Sequence, residues 1–134
     1  AALLSIVKEG KELFVVGTKE SVALTEKEKA VTDVKREEVY RQPLNLKQDK
    51  ATKSSIIYLK MSCDFRLHQD LATLLYSIDG KTWIPAIKDF KMQYDYRRFF
   101  MGTRIAIYNY ATKAAGGYVD VDSFDYQKQN SSEK

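Results

Sequence analysis

The chain has one cysteine, one histidine, one tryptophan and two prolines among its 134 residues. A single cysteine excludes an internal disulfide framework, and Cys63, inside the apolar run Ile56 to Phe65, reads as a small buried hydrophobe. Cys63 and His68 supply only two of the four ligands a zinc site takes, so carboxylates would have to complete it. No apolar stretch approaches the ~20 residues of a membrane-spanning helix, and no membrane partner is expected. Charge of one sign is also scarce: 22 Lys and Arg against 18 Asp and Glu give a net charge of +4. That is a mixed surface, without the dense basic block of a nucleic-acid binder. Ala1 to Val7 has neither an initiator Met nor the charged flank of a signal peptide and already reads as a strand. The expectation is a piece of something longer.

A sustained helical period is missing too, while Tyr, Phe, Val and Ile dominate the apolar positions, so the pattern predicts an all-β chain. Leu3 to Val7 and Leu13 to Val16 flank Lys8-Glu9-Gly10-Lys11-Glu12, where Gly10 permits a tight hairpin turn. Thr18 to Ala30 is rich in Lys, Glu, Ser and Ala and reads as a loop or one short helix. Val34 to Arg41 alternates imperfectly, as a solvated strand ending before Pro43. Lys47 to Ser55 is a loop. Ile56 to Phe65 is expected to be a central strand pairing with Leu71 to Ser77, and Asp79-Gly80 then turns the chain into a return strand starting at Trp83. Lys88 to Phe100 reads as an aromatic-rich loop. Thr103 to Tyr110 and Tyr118 to Tyr126 alternate around Gly116-Gly117 and are expected to be two further strands. Repeated antiparallel strands imply a β-sandwich, one domain over residues 1–126, with 127–134 a polar tail.

Three stretches carry more specific information. They are Tyr76-Ser77-Ile78-Asp79-Gly80-Lys81-Thr82-Trp83, then Phe100-Met101-Gly102-Thr103-Arg104-Ile105-Ala106-Ile107-Tyr108-Asn109-Tyr110-Ala111-Thr112-Lys113, then Gly116-Gly117-Tyr118-Val119-Asp120-Val121-Asp122-Ser123-Phe124. In that order and spacing the chain resembles the C-terminal concanavalin-like β-sandwich of family 43 glycoside hydrolases, the β-xylosidases and α-L-arabinofuranosidases. The resemblance covers Ile56 to Tyr126 well, Leu3 to Val16 more loosely, and 18–55 weakly. Thr103, Val121 and Ser123 stand where members often have aromatics. It implies a concanavalin A-like jelly roll lacking its first strands, and a secreted or periplasmic setting. It also implies a catalytic five-bladed propeller domain as partner and plant cell-wall polysaccharide as the material acted upon. The family's catalytic carboxylates belong to the propeller, so no catalytic residue is expected in this chain.

In chemical terms, Asp120, Asp122 and Asp125 are the residue type that glycosidic hydrolysis uses in pairs, but a two-residue period puts Asp120 and Asp122 on one strand face and Asp125 on the other. The expectation is that Val119 and Val121 face the core while the aspartates are solvated. Asp120 and Asp122 are also weak calcium candidates, since calcium needs six or more oxygens and few are offered; no cofactor is otherwise expected. Sugar rings stack on aromatic faces and their hydroxyls seek polar side chains, which singles out Trp83, Tyr94, Tyr96, Asn109 and Tyr110; the competing expectation is that Trp83 and most tyrosines fill the interior. Arg97-Arg98 beside Tyr94 and Tyr96 has the residue types of a single-stranded nucleic-acid site, but Asp89 and Asp95 interrupt it, and the resemblance implies packing on the catalytic domain instead. The functional expectation is a non-catalytic accessory module that packs on and shapes that domain. Its alternatives are an independent carbohydrate-binding module and a catalytic jelly-roll glycosidase. An open sheet edge at the N-terminus predicts self-association by strand pairing.

Overall fold

The computed structural model describes residues 1–24, 31–92 and 104–128, and of 22–24 and 31–32 the backbone alone. The chain divides into two compact units, Ala1–Thr103 and Arg104–Lys134. The first contains β1 (Ala2–Glu9), β2 (Glu12–Leu24), β3 (Val31–Leu44), β4 (Tyr58–Asp64), β5 (Leu71–Ser77) and β6 (Ile84–Lys91). These form two antiparallel sheets, ordered β1-β2-β3 and β4-β5-β6. Among the described residues there is no helix, and the two sheets form a concanavalin-like sandwich.

Local chemistry explains the turns. Gly10 (φ 63°) reverses β1 into β2, and Gly80 (φ 75°) does the same between β5 and β6, both in the left-handed region that glycine enters without strain. At the second turn the Asp79 carboxylate accepts hydrogen bonds from the Lys81 and Thr82 amides at 2.8 Å and from Ser77 Oγ at 2.9 Å. Those donors hold the Asp79 pKa at about 2, below the usual 3.8, the two amides contributing most. A depressed folded-state pKa contributes stability above the unfolded value, lost as pH falls from about 3.8 towards 2. Asp79→Asn keeps an acceptor for the two amides but does not titrate. Acid-unfolding curves of the variant should therefore be flatter than wild type between pH 4 and 2; parallel curves would show that the turn does not depend on the charge.

The core lies between the sheets. Every second residue of β5, Ala72, Leu74 and Tyr76, is buried, and these meet Val15, Leu44 and Ile87 from the other strands. Leu4 of β1 packs against both clusters. The sheets come close at Gly17 of β2: a β-carbon there would lie 3.0 Å from Ile87 Cγ1 and 3.1 Å from Tyr40 Cβ. The Tyr40 and Tyr76 hydroxyls hydrogen-bond at 2.7 Å and their rings meet edge to face, so two part-buried polar tips satisfy one another across the sandwich.

Five expectations change. Lys88 to Lys91, read as the start of an aromatic-rich loop, complete β6 by pairing with Leu71 and Ala72 of β5, while residues 93–100 of that reading lie outside the described residues. Thr18 to Leu24 is neither loop nor helix: it continues β2, and the charges of this stretch suit a ladder with one solvated face, where Glu20 meets Arg36 at 2.6 Å. The Thr25 to Ala30 part of that reading lies outside the described residues. β3 passes through Pro43 to Leu44, which an edge strand tolerates because one side of its backbone need not donate. The Ile56 to Phe65 run pairs with β5 as expected, yet β4 is an edge strand and largely exposed; the central strand of its sheet is β5. Finally, the described residues 104–128 carry no strand, so Arg104 to Tyr110 and Tyr118 to Tyr126 do not form the two expected ladders. Alternation only prepares a segment for pairing; without ladder hydrogen bonds it gains little from being extended.

Candidate functional site

The one tryptophan follows the Asp79 turn and enters β6. Two residues on, Pro85 is opposite Leu75 of β5, whose partner on the other side is Lys60 of β4. This register brings Lys60 across the sheet, and its Nζ lies over the Trp83 ring, 5.2 Å from the centroid. The half-buried indole thus has an ammonium on its face, a contact typically worth about 0.5–1 kcal/mol near a surface. Tyr58, two residues before Lys60, places its ring against the turn: a β-carbon at Gly80 would come within 3.2 Å of Tyr58 Cζ. Trp83, Lys60, Tyr58 and the Asp79 turn therefore form one aromatic and cationic patch on the sheet face away from the core. The sequence singled out only Trp83; the others follow from cross-strand register, which β4 and β5 as a pair could have supplied.

The remaining candidates are distributed differently. Tyr94, Tyr96 and Arg97 lie outside the described residues. Asn109 and Tyr110 belong to the second unit and are exposed, and there Tyr110 stacks on Tyr108 with ring centroids 5.7 Å apart. Tyr108 was missed as a partner, although residues two apart in extended backbone share a face. Asp120, Asp122 and Asp125 are exposed, as expected, and Asp125 accepts from Gln127 Nε2 at 3.1 Å. Val119 and Val121, expected to face a core, are exposed as well, because no ladder forms here to give this segment an inner face.

Among the described residues no group of three or more His, Cys, Asp or Glu side chains is gathered as a metal site would require. Cys63 is half-buried, and burial raises its thiol pKa, away from the thiolate that nucleophilic chemistry uses. His68 is exposed in a turn with φ 67°. The strongest ionic contact nearby is structural: Arg66 grips Asp64 at 2.6 Å and holds its pKa at about 2.

The arrangement can therefore offer apolar ring surface and hydrogen-bonding tips, the chemistry of recognition. A search against protein-family models matches residues 13–127 to the C-terminal concanavalin A-like domain of β-xylosidase. No curated protein and no solved structure matched the chain.

Proposed function

The chain belongs to the β-xylosidase C-terminal concanavalin A-like domain family of the family 43 glycoside hydrolases, and we propose that it is the non-catalytic accessory module of a secreted enzyme of that family. In this role it packs on the catalytic five-bladed propeller and shapes the cleft that receives xylan or arabinan-type glycans. The observation that carries the reading is the family match itself, which spans residues 13–127 and so takes in parts of both units. Two features support it. The acidic trio Asp120, Asp122 and Asp125 is solvated, whereas a glycosidase needs two carboxyl groups flanking one bond in a cleft. Tyr108, Tyr110, Tyr118 and Phe124 are exposed aromatics, the side chains that anchor protein interfaces.

An independent carbohydrate-binding role is the second reading, favoured by the exposed Tyr108–Tyr110 stack. Against it, the Trp83 face that a sugar ring would cover carries the Lys60 ammonium. Fluorescence of Trp83 separates the two, since it is the one indole in the chain. An emission maximum that stays unchanged on titration with xylan and arabinan oligosaccharides is expected of the accessory module. A saturable shift with one sugar would replace it by the binding module.

A further inference from the structure

Four strands of the first unit are sheet edges, and unpaired edges invite further pairing. Three are guarded. β3 carries Lys35, Arg36, Glu37, Glu38 and Arg41, and a bulge at Val39. β6 has Pro85, two register shifts and Asp89 at φ 50°, all of which break a continuous row of donors and acceptors. β1 holds its apolar side chains half-buried. β4 has neither proline nor register shift, and its charges are one of each sign, Lys60 and Asp64. Leu59 and Met61 oppose Tyr76 and Leu74 of β5, which are 5 % and 3 % exposed, yet Leu59 itself is 51 % and Met61 38 % exposed. Among the described residues of the first unit, the core face of the sheet runs out onto β4 uncovered.

We propose that β4 pairs antiparallel with β4 of a second copy of this chain, about a two-fold axis at Ser62. The register follows from parity and charge. Odd-numbered β4 residues face the core side, so pairing must match odd with odd and even with even, or each apolar face would meet the partner's polar one. Among such registers, an axis at Lys60 opposes two lysines, an axis at Met61 puts Lys60 against Ser62, and an axis at Cys63 puts Lys60 against Arg66. An axis at Ser62 opposes Lys60 to Asp64 twice, Met61 to Cys63 twice, and brings Leu59 beside Phe65, itself 60 % exposed. Asp64 already binds Arg66, but its side chain is 32 % exposed and can take a second cation. This isologous pairing extends the sheet across the axis and closes, leaving no free β4 edge. It does not rest on the accessory role, and it places association at β4 instead of the N-terminal edge expected from the sequence.

The test uses the full chain. Sedimentation should show a concentration-dependent dimer, and Lys60→Glu should raise its dissociation constant about tenfold, with Lys60→Glu/Asp64→Lys recovering most of the loss. Circular dichroism shows whether each variant keeps its strands. Independently, in a Cys63→Ser background, Ser62→Cys puts two thiols opposite each other across the axis and should give a disulfide-linked dimer on mild oxidation, whereas Lys60→Cys, four residues off register, should not. A monomeric mass at high concentration, which would leave β4 to another segment or partner, overturns the proposal. So does equal cross-linking of the two cysteine variants.

Discussion

Ile87→Ala is expected to destabilise the first unit by about 2–5 kcal/mol, seen as a lower denaturant midpoint with an unchanged slope. Ile87 is 2 % exposed and belongs to the cluster with Ala72 and Leu74, while its Cγ1 and Cδ1 both reach the β-carbon position of Gly17 on the facing sheet. Truncation therefore empties the point where the sheets touch, and the backbone at Gly17 can bring no side chain to refill it. A domain of this size has a total stability of only about 5–15 kcal/mol, so the variant can lose most of its folded population. Ile87→Val, which keeps both branches at Cβ, should cost only about 0.5–1.5 kcal/mol. A similar cost for both variants would mean that the site collapses freely and that Ile87 is not held between two sheets.

The converse change is Gly17→Val. Its first added carbon lies 3.0 Å from Ile87 Cγ1 and 3.1 Å from Tyr40 Cβ, closer than carbon atoms pack. Overpacking of this kind costs about 1–3 kcal/mol. The strain has a specific direction: Ile87 must withdraw from Leu74, or the β3 backbone must shift to carry the Tyr40 Cβ away, which strains the 2.7 Å hydrogen bond to Tyr76. Combining Gly17→Val with Ile87→Val should recover part of the loss, because the valine at 87 lacks the Cδ1 that stands 3.3 Å from the added carbon. Additive penalties in the double variant would show that the two positions are not in contact.

Much of the first unit was legible because its signals are local. Gly10 and Asp79-Gly80 announce their turns, and Leu71 to Ser77 has the alternation of a strand with one face buried. The β4–β5 pairing follows from a short connection between two apolar runs. What failed depends on context. A stretch like Lys19-Glu20-Ser21 has no strand propensity to read; it is extended because β3 pairs along all of it, β1 pairs at Lys19, and ion pairs such as Glu20 with Arg36 suit the solvated face. Conversely, Ile105, Ile107, Val119 and Val121 alternate clearly, yet they are exposed, because alternation states which side chains would share a face and leaves open which strand supplies the ladder. Edge or centre is likewise invisible in the composition of Ile56 to Phe65, since an edge strand with apolar residues reads like a core strand.

The patch around Trp83 was half legible for the same reason. Trp83 stands out as the one tryptophan, but Lys60 and Tyr58 lie more than twenty residues earlier and join it only through register. Asn109 and Tyr110 were read as polar and aromatic partners for a sugar, and the structure gives them exposure and the stack with Tyr108.

The central claim is that this chain serves a family 43 catalytic domain. The most direct measurement is the hydrolysis of xylo- and arabino-oligosaccharides by a family 43 β-xylosidase catalytic domain stripped of its own C-terminal module, with and without the chain added. The accessory role predicts that the chain alone releases no sugar and that its addition raises kcat/KM of the stripped domain towards the intact enzyme. Hydrolysis by the chain alone, or an unchanged catalytic domain in the presence of a chain that binds the polysaccharide by itself, would contradict it.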